Sequence, residues 1–267
     1  MSPSFKTILV PIDFSINTDV AIAKAIELVD FDGCVHLLHV NKNYFNKTGK
    51  NYLHAEQLLL EWKTSIEEYL PSLTVHCWMA SGKSISGCIK EKAEQINTDL
   101  IIIGKRDSHT RISFFQKVIP SKIALETGMP VLTVKPGCLH NKIKTLVVPI
   151  MEDLPEHKME TIIILSKKFN LSIHLITFIK SEKEKEEEYF NLLSKNCQRL
   201  EEMIQCSPKY AVLKGANKAK SILAYANEIN ADVLIVHPTA EVKIGWFAGS
   251  IPDVLPESSN LQVLAIQ

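Results

Sequence analysis

The chain has 267 residues, room for two domains of ordinary size, and 46% of them are hydrophobic, enough to fill two cores. Thirty basic residues balance thirty acidic ones, which excludes a global positive field that would draw in nucleic acid and leaves proteins and small ligands as partners. No apolar stretch is long enough to cross a bilayer, and Met1–Lys6 lacks the charged-then-apolar pattern of a secretory signal, so the expected location is the cytoplasm.

In chain order, apolar runs at 7–12, 34–40, 73–79, 100–103 and 131–134 alternate with segments of helical period. Runs without polar alternation suit strands buried on both faces of a parallel sheet. Residues 17–30 place Val20, Ala21, Ala25, Leu28 and Val29 on one helical face, and 52–70 and 84–96 are helical in pattern as well. Such segments are the crossovers that parallel strands need, and their hand is right. After a linker at 138–142 the order recurs, with strands near 144–150, 171–178, 209–213, 232–236 and 262–266. The charge run Lys180–Glu188 is expected to open the long second helix of this copy as a solvated face.

The recurrence is also visible residue by residue. Lys6-Thr7-Ile8-Leu9-Val10-Pro11-Ile12 returns as Lys144-Thr145-Leu146-Val147-Val148-Pro149-Ile150. Val35-His36-Leu37-Leu38 returns as Ile173-His174-Leu175-Ile176, and Asp99-Leu100-Ile101-Ile102-Ile103 as Asp232-Val233-Leu234-Ile235-Val236. The predicted class is α/β: two repeated doubly wound domains, 1–137 and 143–267, each a five-stranded parallel sheet between helices. The last run of each copy would otherwise be a bare sheet edge. The copies are therefore expected to pack face to face as a pseudo-dimer, pairing Pro130–Val134 with Leu261–Ile266.

Ligands of open parallel sheets bind beyond the carboxyl ends of the strands, where strand order reverses. After the first run stands Asp13, whose carboxylate can accept hydrogen bonds from a ribose or base edge, or cap the next helix, as Ser15 can. After the fourth run comes Gly104, which serves either a plain turn or the close backbone approach that cradles phosphate. Lys105, Arg106, Arg111 and Lys117 against Asp107 make that loop basic. Gly82-Lys83-Ser84 is not a P-loop, because the motif needs a glycine where Cys77 stands; it reads as a strand-to-helix turn, matched by Gly215. His36 and His39 are three apart on one strand and so face opposite ways. With no Gly-x-Ser-x-Gly elbow and no His-Glu-x-x-His, no catalytic constellation assembles. Six scattered cysteines without a Cys-x-x-Cys pair read as reduced thiols. Cys138 with His140 comes nearest to a metal site but offers two ligands where structural zinc takes four, so no metal is expected.

Lys6–Ser15, an apolar run ending in Pro-x-Asp-Phe-Ser, resembles the opening of universal stress protein domains, and the order of elements resembles that family twice over nearly the whole chain. In the family's nucleotide-binding members, adenine lies near the first-strand aspartate and phosphates lie on a G-x2-G-x9-G-[ST] loop. The resemblance puts Asp13 and Val40 on the adenine side of domain 1, and Gly104, Lys105, Arg106 and Lys117 on its phosphate loop. Asp107, Lys117 and Val118 occupy the later glycine and hydroxyl positions of that loop. In domain 2, Gly249 and Ser250 match the helix start, whereas Met151 stands at the aspartate position and His237 and Ala240 at the first two glycines. The resemblance implies a non-enzymatic stress-response protein acting through a protein partner or small ligand, with degenerate nucleotide sites in both repeats and no firm cofactor. The alternative is ATP or AMP binding in domain 1, with slow ATP hydrolysis. An adenylating or electron-transfer enzyme on a related fold would want a His-x-Gly-His or Ser-Gly-Gly-x-Asp-Ser loop, and neither is present.

Overall fold

The architecture comes from a computed structural model, which describes residues 4–41, 50–82, 84–105, 118–179, 186–204, 206–215, 217–238, 251 and 255–267. Among the described residues, ten strands form one sheet. In the first copy these are β1 (Thr7–Ile12), β2 (Cys34–Asn41), β3 (Thr74–Ser81), β4 (Leu100–Gly104) and β5 (Val131–Val134). The second copy supplies β6 (Thr145–Pro149), β7 (Ser172–Ile179), β8 (Lys209–Lys214), β9 (Val233–Val236) and β10 (Gln262–Ala265). Their order is β3-β2-β1-β4-β5-β10-β9-β6-β7-β8, parallel within each copy. Each half thus carries the same 3-2-1-4-5 winding, and strand order reverses between β1 and β4 and again between β6 and β9.

The helices are α1 (Ile16–Leu28), α2 (Lys50–Tyr69), α3 (Ile85–Gln95), α4 (Pro120–Thr127), α5 (Glu156–Lys168), α6 (Glu186–Glu201) and α7 (Lys218–Glu228). The run 180–185 lies outside the described residues, and α6 opens on Glu186, Glu187 and Glu188, acidic residues that suit the positive end of a helix. Pro120 starts α4, and Gly128 ends it at φ 71°, where its N–H bonds Ala124 O at 2.9 Å. Among the described residues, no helix is long and apolar enough to cross a membrane.

Apolar side chains collect in two layers, one on each face of the sheet, and each layer runs through both copies. One holds Val10, Leu37, Leu146 and Leu175 under α1, α2, α5 and α6. The other holds Leu9, Leu38, Val147 and Ile176 under α3, α4 and α7. Period-2 alternation sends neighbouring residues of one strand into different layers, which is why the strands read as unbroken apolar runs.

The copies meet edge to edge. β10 runs antiparallel to β5, with Val263 opposite Thr133, Leu264 opposite Leu132 and Ala265 opposite Val131. This corrects the face-to-face packing expected above: unpaired N–H and C=O groups of two edge strands lie in the plane of the sheet, so only coplanar docking pairs them. Further ties cross the seam. Lys135, 2% exposed, donates to Leu255 O, and Lys168 donates to Val29 O. Gly137 lies so close to the other copy that a Cβ would stand 2.4 Å from Ser258 O. Cys138 is buried and its thiol donates to Ser259 O at 3.4 Å, so the cysteine nearest a metal motif in the sequence is a packed thiol, with His140 exposed beyond it.

The repeated aspartate has a structural task. Asp99 Oδ2 accepts from the backbone N–H groups of Lys6 (2.9 Å) and Thr7 (2.7 Å), and Asp232 Oδ2 accepts from those of Lys144 (2.7 Å) and Thr145 (2.8 Å). Each carboxylate satisfies the two donors that open the central strand of its half. Asp99→Ala is expected to cost about 2 kcal/mol, the scale of a lost charged acceptor, read as a lower urea midpoint with an unchanged m-value.

Candidate functional site

In the first copy, the β1–α1 turn is built around Asp13. Its Oδ1 accepts from Ser15 N (3.1 Å), Ser15 Oγ (2.6 Å) and Thr18 Oγ1 (2.7 Å), while Thr18 Oγ1 accepts from Asp13 N at 3.2 Å. Ser15 is the N-cap residue of α1 but makes no side-chain cap bond; its hydroxyl donates to Asp13 and accepts from the Asn17 side-chain amide at 3.5 Å. These bonds hold Phe14 at φ 57°, a left-handed conformation uncommon outside glycine. Phe14 packs against His39 (4.8 Å between ring centroids) and Trp62 (5.5 Å). Asp13 therefore serves the turn through one oxygen, and Oδ2 has no hydrogen-bond partner among the described residues. Val40 is fully buried and offers a ligand no side-chain atom.

Gly104 ends β4 against the first turn of α1. A Cβ there would stand 2.0 Å from Asn17 O and 2.4 Å from Asn17 C, so the missing side chain is required by helix–strand contact alone. Lys105 is buried, at 3% exposure, and its N–H bonds Val134 O at 3.0 Å. Arg106 and Lys117, together with Gly249 and Ser250, lie outside the described residues.

At the equivalent switch point of the second copy, between the carboxyl ends of β6 and β9, there is a cavity of about 260 Å³. Ile150, Ile222 and Val236 give it apolar walls, and Met151, half exposed, lines it at the position matching Asp13. Lys158 and Lys218 reach it from the first turns of α5 and α7, and His237 from the end of β9. Asn217 fixes the start of α7 by accepting from Lys220 N at 3.0 Å.

Lys158 is 6% exposed. Burial pushes its pKa down, Glu152 pulls it up and Lys218 lowers it again. Burial likewise lowers Lys218. His237 is held below its usual value by burial and by Lys158, against Glu152. Asp153, the other carboxylate at the rim, points to Lys195 at 2.5 Å. Two ammonium groups thus face one cavity, with Glu152 as the carboxylate acting on Lys158 and two helix N-termini adding positive potential. A small anion suits that balance.

Lys158 and Lys218 carry no motif and were not singled out from the sequence. The available signal was position: each stands four residues before an isoleucine of its helix's apolar stripe, Ile162 and Ile222, where a core-facing lysine is unusual.

Fold and cleft together define a tandem doubly wound α/β protein with a cavity at a topological switch point. Residues 4–135 match the universal stress protein family, so the first copy is a domain of that family. A universal stress protein from Archaeoglobus fulgidus superposes with a TM-score of 0.67 at 19% identity, with 98% of each chain covered. A putative universal stress protein from Pseudomonas aeruginosa gives 0.57 at 16%, covering 99% of this chain and 94% of that one. The cytoplasmic domain of a prokaryotic cation chloride cotransporter gives 0.54 at 13%, covering 98% and 95%. At these identities the likeness is one of fold. No curated protein matches the sequence.

Proposed function

We propose that this protein is a cytoplasmic stress-response protein that acts by binding a small anionic ligand in its second repeat and turns over no nucleotide. The observation that carries this reading is the cavity where Lys158 and Lys218 converge. Its volume lies just below the range of about 300–1,000 Å³ usual for drug-sized ligands, which favours a small carboxylate or phosphate ester. In the first repeat, the two residues retained from the nucleotide pattern both serve the fold: Asp13 holds a turn and Gly104 admits α1.

Mass spectrometry of the native protein is expected to find a small acid, and calorimetry with inorganic phosphate and short carboxylates to show binding. Lys158→Met and Lys218→Met should each weaken it at least tenfold, about 1.4 kcal/mol. Unchanged affinity in both variants refutes the assignment. Millimolar Mg-ATP should raise the melting temperature little, whereas a nucleotide bound at one hundred times its dissociation constant would add about 2.7 kcal/mol. The Oδ2 of Asp13, without a hydrogen-bond partner among the described residues, favours a second reading, ATP or AMP in the first repeat with slow hydrolysis. That reading predicts a rise of several degrees, lost in Asp13→Ala and kept in Met151→Ala.

A further inference from the structure

Far from both switch points, at the amino end of β2 and β3, three ligand-type side chains meet on one face of the sheet. Cys34 and His36 are two apart on β2 and so point the same way. The register sets His36 directly opposite His76 of β3, the edge strand. Cys34 Sγ is 3.3 Å from His36 Nε2, the His36 and His76 ring centroids are 4.7 Å apart, and one ligand atom from each of the three lies within 4.8 Å of the others. Two tetrahedral zinc ligands with bonds near 2.3 Å (S) and 2.0 Å (N) stand about 3.5 Å apart. His36 is buried, Cys34 half-buried and His76 exposed, so the cluster has a dry side and a solvent entrance.

The second copy supplies an internal comparison. Ser172 Oγ lies 3.2 Å from His174 Nε2, the same geometry with a hydroxyl in place of the thiol, and Lys209 stands opposite His174 where His76 stands opposite His36. The repeat keeps the central histidine and its neighbour's placement without the ligand chemistry. The fold alone therefore does not demand Cys34 or His76.

We propose that Cys34, His36 and His76 bind one borderline-soft divalent metal ion of the zinc class, with the fourth position open to water. Three protein ligands and an open position are the pattern of exchangeable or reactive zinc, whereas a closed structural site takes four. The proton balance is specific. The Trp78 indole N–H donates to His36 Nδ1 at 2.9 Å, and an indole can only donate, so neutral His36 carries its proton on Nε2, facing Cys34. Ligation at Nε2 moves that proton to Nδ1 and sends the Cys34 thiol proton to solvent. Two donors then face each other, and Trp78 must turn away. Lys92, 3.7 Å from the Trp78 ring centroid, adds an opposing charge. Metal entry is thereby coupled to the rotation of one tryptophan.

The test is titration of the full chain with Zn2+ against a chromophoric chelator, and with Co2+. One equivalent should bind, with a thiolate-to-cobalt charge-transfer band and a change in tryptophan fluorescence that Trp78→Phe removes. Cys34→Ser should abolish the band, and Cys34→Ser and His76→Lys should each weaken Zn2+ binding at least tenfold. Trp78→Phe, which deletes the competing donor, should tighten it. Ser172→Cys with Lys209→His should raise the stoichiometry to two. No binding by the folded protein, or a band that survives Cys34→Ser, overturns the proposal, and circular dichroism of each variant separates loss of ligand from loss of fold.

Discussion

Gly104→Ala is expected to destabilise the protein by about 3 kcal/mol, the upper end of ordinary overpacking. The added Cβ meets backbone, Asn17 O at 2.0 Å and Asn17 C at 2.4 Å, and no flexible side-chain end can yield. Asn17 is 2% exposed, and the next residue, Thr18, is bonded to Asp13 both ways. Relief therefore requires α1 to lift from β4 and the Asp13 turn to open. Urea denaturation measures the change. Gly87→Ala supplies the opposite sign: that glycine lies inside α3 and an added Cβ finds only ordinary contacts, 3.6 Å from Ser84 Cβ, so a gain of about 0.5–1 kcal/mol is expected. Had Gly104 served only a phosphate, its substitution would alter ligand binding and leave the midpoint in place.

Residues 1–137 produced alone are expected to dimerise or aggregate. Without β10, the backbone of Val131, Leu132 and Thr133 becomes an open edge, and Leu132 loses Leu264 from the layer they share. Lys135 loses its acceptor at Leu255, and Lys24, also 2% exposed, loses Asn141 O. A second fragment can offer β5 to β5, antiparallel, as β10 does in the whole chain. Analytical ultracentrifugation decides it: a clean monomer at high concentration means that the seam is dispensable and the halves are independent domains.

The strand pattern was open to reading because parallel strands are buried on both faces and leave continuous apolar runs in the chain. The recurrence of Lys6–Ile12 at Lys144–Ile150 added the division into copies. The site was legible only in its location, the carboxyl ends of the strands, and in Met151 replacing the carboxylate there. Which copy carries the lysine-lined cleft was not legible, since Lys158 and Lys218 are single residues on two helices that converge only when both pack on the sheet.

Chain-local chemistry is what the sequence determined by itself: which segments are strands, that two copies are present, and which residues stand just past each strand. Register and close approach belonged to the tertiary structure. Cys34 and His36 are neighbours by period, but His76 joins them only through the pairing of β2 with β3. Gly104 fits both a plain turn and a phosphate cradle in the sequence, and only the position of Asn17 against it shows that helix–strand contact requires it. In both cases the deciding distance lies between segments remote in sequence, and it is set by how backbones pack, which no local pattern encodes.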